Sequence, residues 1–550
     1  MIEELRSAAN ELHTAWDNYY HVYSALKSHR LPESIPHTLI PELTRQLGAE
    51  LAFISSYELK VQELKAVIAH TRNDSINCSH LSTSTPINTL FPEILTRIFH
   101  LARSQPCNLH RLSDLDKNYV PRYPDYLAQV CVLWRNVAIS ARSLWCHIDI
   151  SSYKPYHRWF IARAETHVGR AGELPIDLHM VDHEYSGSRW RNENYSDMHA
   201  FLGRIFARVE TLAVVTTRSR GFRGFHRRSI RELFSNQPPM LKKLVLRSES
   251  DLHNAYIYAD PLSRPESNQE FEGLPLNLKI AQIEDSFAPI SVLHLRGIFP
   301  LWSSKAYCGL VDLRLLSTDE ISRIEDVNLI TILESSPALQ ILHFGLDVYG
   351  LTGLTSDTQQ IQVHLLDLQV IKIFPFKSSA NNPQVLRLLA PGTKPLRLSL
   401  EGHFIPDEIF IAELEEFFQR SRVARFYTRE LFLPMNILVL HATHLERVVL
   451  DSFDDIRHDE FPPAWIQLER SILSPRLKSL HITRSQLRED QFRVLVDSCP
   501  TDIVFHSCCI RWGNELVSAG ELSLVFPNVR TIEHVLYPLE DPTGDWDILD

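Results

Sequence analysis

At 550 residues, with 44% hydrophobic and 22% charged side chains, the chain is too long for one ordinary core and too average in composition for wholesale disorder. Two or three structural units or an elongated repeat array are expected. A net charge of −11 argues against a general nucleic-acid binder, whose footprint is basic. No run of about eighteen apolar residues occurs, and Met1-Ile2-Glu3-Glu4-Leu5-Arg6 is acidic where a secretory signal is basic. The expected compartment is therefore cytosol or nucleus, with no membrane contact.

Ile2, Leu5, Ala9, Leu12, Trp16, Tyr19, Tyr23 and Leu26 alternate spacings of three and four, the pattern of a heptad seam. Pro32 and Pro36 interrupt it. A second run carries Leu43, Leu47, Ile54, Tyr57, Val61, Leu64 and Ile68, so residues 1–75 are expected to form an antiparallel helical hairpin or coiled coil. The bulky Trp and Tyr of the seam also suit self-association. Thr71 to Pro86, rich in Ser, Thr and Asn, reads as a linker.

The next stretch is the most specific. In Leu90-Phe91-Pro92-Glu93-Ile94-Leu95-Thr96-Arg97-Ile98-Phe99, Ile94, Leu95, Ile98 and Phe99 share one side of a helix. Pro92 has no N–H to leave unpaired in its first turn, and Glu93 faces the positive end of its dipole. A second helix follows, with Leu127, Val130, Cys131, Trp134, Val137 and Ala138 at the 3.6-residue period. The segment between them, roughly Ser104 to Asp125, shows no period and reads as an insertion.

With the trailing Leu144-Trp145-Cys146-His147-Ile148-Asp149-Ile150, these segments resemble the F-box-like domain abundant in fungal proteomes, over positions 86–150. Phe91 stands where that family usually has its first proline, and Arg142-Ser143 replaces the proline before Leu144-Trp145. The resemblance implies docking to a Skp-type adaptor and, through it, to a cullin. It implies adaptor contact by Leu90, Pro92, Ile94, Leu95, Ile98 and Phe99, with Val130, Cys131 and Trp134 shared between contact and the module's own packing.

Arg218, Arg220, Arg223, Arg227, Arg228 and Arg231, interleaved with Phe222 and Phe225, read as a solvated basic loop that is also able to grip phosphate or an acidic peptide. Beyond residue 200 a Leu-x-x-Leu-x-Leu pattern recurs, as in Val209-Leu212-Val214, Leu241-Leu244-Leu246, Ile290-Leu293-Leu295, Leu310-Leu313-Leu315, Leu339-Leu342-Phe344, Leu368-Ile371-Ile373, Leu445-Val448-Leu450 and Leu477-Leu480-Ile482. Poorer copies lie at Pro395-Leu398-Leu400 and Val529-Ile532. Alternate residues turn a short strand's apolar side inward, and stacked units then share a core.

This half resembles leucine-rich repeats in degenerate form. The family's turn Asn or Cys is replaced by Glu249, Thr318, Asp347 or Ser485, or by an apolar Ile298, Phe376 or Phe453. The expected fold class is mixed α and α/β: helical hairpin, small helical F-box-like module, and a leucine-rich-repeat-like solenoid over 170–550. A strand-lined concave face is implied. There the residues between apolar positions, His294, Arg314, His343, Lys372, Arg397 and His481, form a basic set suited to an acidic or phosphorylated protein target.

The chain lacks a Gly-x-Ser-x-Gly elbow, a phosphate-cradling glycine loop, a His-Glu-x-x-His helix and a dinucleotide fingerprint. Cys78, Cys107, Cys131, Cys146, Cys308, Cys499, Cys508 and Cys509 contain no Cys-x-x-Cys pair, and Asp451, Asp454 and Asp455 read as a solvated acidic loop. No catalytic residue, metal site or cofactor is expected. The leading expectation is a non-enzymatic substrate receptor of a Skp-cullin-F-box ubiquitin ligase. The alternative is a scaffolding repeat protein whose F-box-like helices cap the open end of the solenoid.

Overall fold

Alternation builds the main sheet. In Val292-Leu293-His294-Leu295-Arg296 the leucines point to one face and the polar residues to the other, and the same two-residue period governs each strand that pairs with it. The computed structural model describes positions 10–11, 13–21, twelve positions between 45 and 67, 87, 90–102, 123–152, 156–182, 195–216, 224–235, 240–248, 255–259, 273–318, 322–350, 362–374, 385–404, 408–431, 443–452, 476–489, 492–493, 496, 502–513, 515–518, 526, 529–532 and 546–547. It separates into two compact units, Met1–Phe91 and Pro92–Asp550.

In the first unit, positions 13–21 and the described positions between 45 and 67 are helical. Trp16, Tyr20, Phe53 and Val67 are all exposed there. The expected linker lies outside the described residues.

The second unit opens with three short helices, α1 (Pro92–Leu101), α2 (Leu127–Val130) and α3 (Val132–Ser140). A fourteen-stranded sheet follows, its neighbours in strict chain order: β1 (His147–Ser151), β2 (Ile176–Asp182), β3 (Val209–Thr216), β4 (Lys243–Ser248), β5 (Val292–Arg296), β6 (Asp312–Leu316), β7 (Ile341–Gly345), β8 (Val370–Ile373), β9 (Leu396–Phe404), β10 (Val423–Leu431), β11 (Arg447–Asp451), β12 (Ser479–Thr483), β13 (Asp502–His506) and β14 (Val529–Ile532). Every neighbouring pair is parallel. The chain is thus mixed α/β with a large parallel sheet. β1 begins at His147, at the end of positions 86–150, and pairs along its whole length with β2.

Parallel sheets are usually apolar on both faces. Here one face carries the main core: Leu178, Leu212, Leu244, Leu293, Leu313, Leu342, Ile371, Leu398, Phe426, Val448, Leu480 and Ile503 lie side by side and buried, while the other holds two small apolar clusters, Val181 and Val215 with Phe160, and Tyr427 and Val449 with Trp546. Phe201 and Leu202, Leu233 and Phe234, Phe287, Leu333, and Phe417 of the intervening helices join the same core. Phe344, fully buried in the middle of it, fixes the scale. Phe344→Ala is expected to lower unfolding free energy by about 3–5 kcal/mol, read from urea unfolding.

The strands leave the sheet at a recurring corner. Gly297 (φ 71°), Ser452 (φ 53°), Arg484 (φ 50°) and Ser507 (φ 52°) each directly follow a strand and occupy the left-handed region. Their geometry serves the ladder: the Gly297 N–H donates to Leu316 O at 3.0 Å, Ser452 to Thr483 O at 2.9 Å and Arg484 to His506 O at 2.9 Å. Ile298–Pro300, Gln486–Arg488 and Cys509–Trp512 then form short side ladders. This is why Ile298 and Ser485 stand where an asparagine turn was expected: the chain turns a backbone corner there.

Two expectations need correction. Residues 224–231 of the expected basic loop belong to a helix (Gly224–Ser235) that buries Ile230, Leu233 and Phe234 and pairs Arg228 with Glu232 at 2.8 Å; Arg218, Arg220 and Arg223 lie outside the described residues. Asp451 is no solvated loop residue either. It is buried at the end of β11, pairs with Arg484, and accepts hydrogen bonds from Tyr427 Oη and Thr483 Oγ1 at 2.7 Å each. Asp454 and Asp455 lie outside the described residues.

Candidate functional site

The small helical module packs on Leu95 and Phe99, both buried, with the Phe99 ring 4.9 Å from that of Trp134. Cys131 Sγ caps α3 by accepting from Trp134 N–H at 3.5 Å, and Trp145 Nε1 donates to Ala138 O at 2.7 Å. Leu95, Phe99, Cys131 and Trp134 are therefore packing residues of the module. The surface is carried by others. Ile94, Ile98 and Leu101, at i, i+4 and i+7, form a second stripe on α1 beside the buried one; Ile94 is 47% and Leu101 66% exposed, and Ile98 is half-buried. Val130 and Val132 are exposed as well, as is Pro92. Leu90, half-buried, belongs to the N-terminal unit.

The second candidate surface is the polar face of the sheet. Register sets His294, Arg314, His343, Lys372, Ser399, Tyr427, Val449 and His481 in one rank across adjacent strands. Asp312 and Arg397 stand one side-chain repeat away. Trp546 and Asp547 lie on this rank. Asp547 receives Arg314 Nη1 at 2.8 Å, His343 Nε2 at 3.1 Å and Lys372 Nζ at 3.3 Å, while Arg397 Nη1 donates to the Trp546 carbonyl at 2.8 Å. Trp546 is fully buried against Tyr427 and Val449, its ring meeting that of Tyr427 edge-on at 6.3 Å. Five of the six expected target residues thus belong to one network. His294 joins it through Asp312 (2.9 Å), which Arg314 also grips at 2.9 Å. His481 stands apart, stacked on His506 at 5.8 Å.

The charges in this network are fixed by their neighbours. Burial works against ionising Asp312, but His294 and Arg314 outweigh it and hold the carboxyl down at about 2. Burial likewise opposes Asp547, and His343, Arg314 and Lys372 overcome it, so its carboxyl stays ionised well below the usual range. His343 is pushed down from 6.5, first by burial and then by the nearby Arg314 and Lys372; His294 is pushed down chiefly by burial. Both imidazoles are neutral at neutral pH, which leaves Arg314 and Lys372 as the permanent cations on Asp547. A depressed histidine stabilises the fold above its unfolded value near 6.5, and that contribution is lost as pH falls from there through the folded value. The urea midpoint is expected to drop between pH 7 and about 5, and His343→Gln should flatten part of that drop.

A third cluster was not foreseen. On β1 and β2, His147 stands opposite Asp177 and Asp149 opposite His179, a two-by-two block on the same polar face. His147 Nδ1 lies 2.8 Å from Asp177 Oδ2 and its Nε2 2.9 Å from Asp149 Oδ1; His179 Nδ1 lies 3.4 Å from the same oxygen. Arg163, from the helix α4 (His157–Ala171), reaches Asp149 Oδ2 at 3.1 Å and Asp125 Oδ2 at 2.8 Å. Asp149 is buried, which opposes its charge, yet His147 and His179 hold its carboxyl well below the usual range. The signal in the sequence is the alternation His147-x-Asp149 on a strand, which places both side chains on one face.

No family model matches the chain, and no curated protein matches it.

Proposed function

We propose that the protein is a substrate receptor of a Skp-cullin-F-box type ubiquitin ligase, with a solenoid of leucine-rich-repeat type as its target-binding part. The observation that carries the reading is the seating of Trp546 and Asp547 on the basic rank of the sheet. A surface that holds an acidic, tryptophan-bearing segment of its own chain has the charge and the apolar recess to hold one from another protein. The tail is an imperfect occupant: Trp546 Nε1 is buried without an acceptor among the described residues. An unmade buried bond of this kind costs about 1–3 kcal/mol, which a target supplying an acceptor there recovers. The unburied stripe of Ile94, Ile98 and Leu101 supports the docking half of the reading, because α1 carries more apolar surface than its own module covers.

The test is co-purification of the tagged full-length chain from its native host, scored for a Skp-type adaptor and a cullin. Recovery of neither sinks the ligase reading. The scaffolding alternative draws on the continuity of module and sheet: Arg163 of α4 ties the turn at Asp125 and the Tyr123 carbonyl to β1, so these helices also cover the sheet's first strand. It predicts a folded chain that recovers no adaptor.

A further inference from the structure

We propose that His147, Asp149 and His179 bind a divalent transition-metal ion, zinc by the type of its ligands, at the first two strands of the sheet. His147 Nε2, Asp149 Oδ1 and His179 Nδ1 lie within 4.8 Å of one another. Ligand atoms about 2.1 Å from a tetrahedral zinc ion are separated by roughly 3.4 Å, so the observed 2.9 and 3.4 Å separations accept an ion after movements of a few tenths of an ångström. Two histidines and one carboxylate also leave a position open for water or a further ligand.

The tautomer of His147 sharpens the argument. One of its nitrogens lies 2.8 Å from the carboxylate of Asp177 and the other 2.9 Å from that of Asp149. A neutral imidazole has a single N–H, so whichever tautomer it takes, a lone pair faces a carboxylate oxygen at under 3 Å unless a second proton or a metal ion stands between. The surroundings favour a cation: Asp149 and Asp177 both lie against the His147 ring, and Asp125 is tied to Asp149 through Arg163, so carboxylates gather around the site. In that arrangement Asp177 fixes the Nδ1–H tautomer of His147 and Arg163 holds the far oxygen of Asp149, the outer partners by which metal sites orient their ligands. The ion would clasp β1 to β2 independently of any adaptor or target.

The experiment uses the full-length protein, stripped with a chelator and titrated with zinc against a chromophoric competitor. One equivalent should bind, the melting temperature should rise with zinc, and the affinity should fall as pH drops and the ligands protonate. His179→Gln should weaken binding at least a hundredfold and Asp177→Asn by about 10–100-fold, while the exposed His364→Ala changes nothing. Zinc-edge X-ray absorption on the unmutated protein should show two imidazole nitrogens and carboxylate oxygen. That keeps the proposal open to refutation if a variant fails to fold. No stoichiometric binding by the folded chain, an equivalent retained in His179→Gln, or a first shell containing sulfur overturns it and leaves the cluster balanced by protons.

Discussion

Replacing Ile94 by aspartate is expected to weaken capture of a Skp-type adaptor about a thousandfold while leaving the chain folded. Ile94 is 47% exposed on α1, so the substitution removes little of the module's core, which rests on Leu95 and Phe99. Within an apolar interface, however, an unpaired carboxylate costs several kcal/mol, and about 4 kcal/mol is a factor of a thousand in dissociation constant. Ile98 is a poorer choice for the same test, since it is half-buried and its replacement would disturb packing as well as contact. Leu95→Asp is the opposite control: it should unfold the module and lose the adaptor with it. The measurement is adaptor recovery by the tagged chain, with circular dichroism and thermal unfolding in parallel. Full recovery by a folded Ile94→Asp chain would remove α1 from the interface.

Much of the sheet was legible because its code is local. Leu293 and Leu295 around His294, or Leu480 and Ile482 around His481, state a two-residue period within five positions, and β5 and β12 stand there. The first two strands were not read, because His147-Ile148-Asp149-Ile150 also closes the F-box-like motif and was assigned to the helical module. Exposure within that module was beyond reach too. Leu95 is buried and Ile98 half-buried, whereas periodicity marks both simply as apolar. The cluster of His147, Asp149 and His179 depends on residues about thirty positions apart that meet only through the β1–β2 register. The C-terminal contact is more remote still, since Asp547 lies 233 positions from Arg314. Nothing in the spacing of either segment announces the other; only their opposite charges do.

That remote contact yields the second large effect. Asp547→Lys places a cation beside Arg314 and Lys372, and should release the tail from the sheet. The released surface is then expected to bind a peptide made from the chain's own last ten residues, Asp541 to Asp550, at least tenfold more tightly than the unmutated protein does, because the intramolecular competitor is gone. Combining Asp547→Lys with Arg314→Glu and Lys372→Glu should abolish the gain. The peptide's aspartate loses two charge-assisted contacts worth about 1.5–3 kcal/mol each, together a hundredfold or more in affinity. Binding of the peptide to Asp547→Lys should weaken with salt, since Arg314 is only partly buried and the acidic peptide is drawn to it from solution. Adaptor capture is the internal control and should not change in any of these variants, because α1 and the rank of β6 to β9 belong to different parts of the unit. Fluorescence anisotropy of the labelled peptide gives the affinities. Equal binding by the unmutated and Asp547→Lys chains would mean that the tail does not compete for this face. Binding that survives Arg314→Glu with Lys372→Glu would place the recognition of acidic partners elsewhere on the chain.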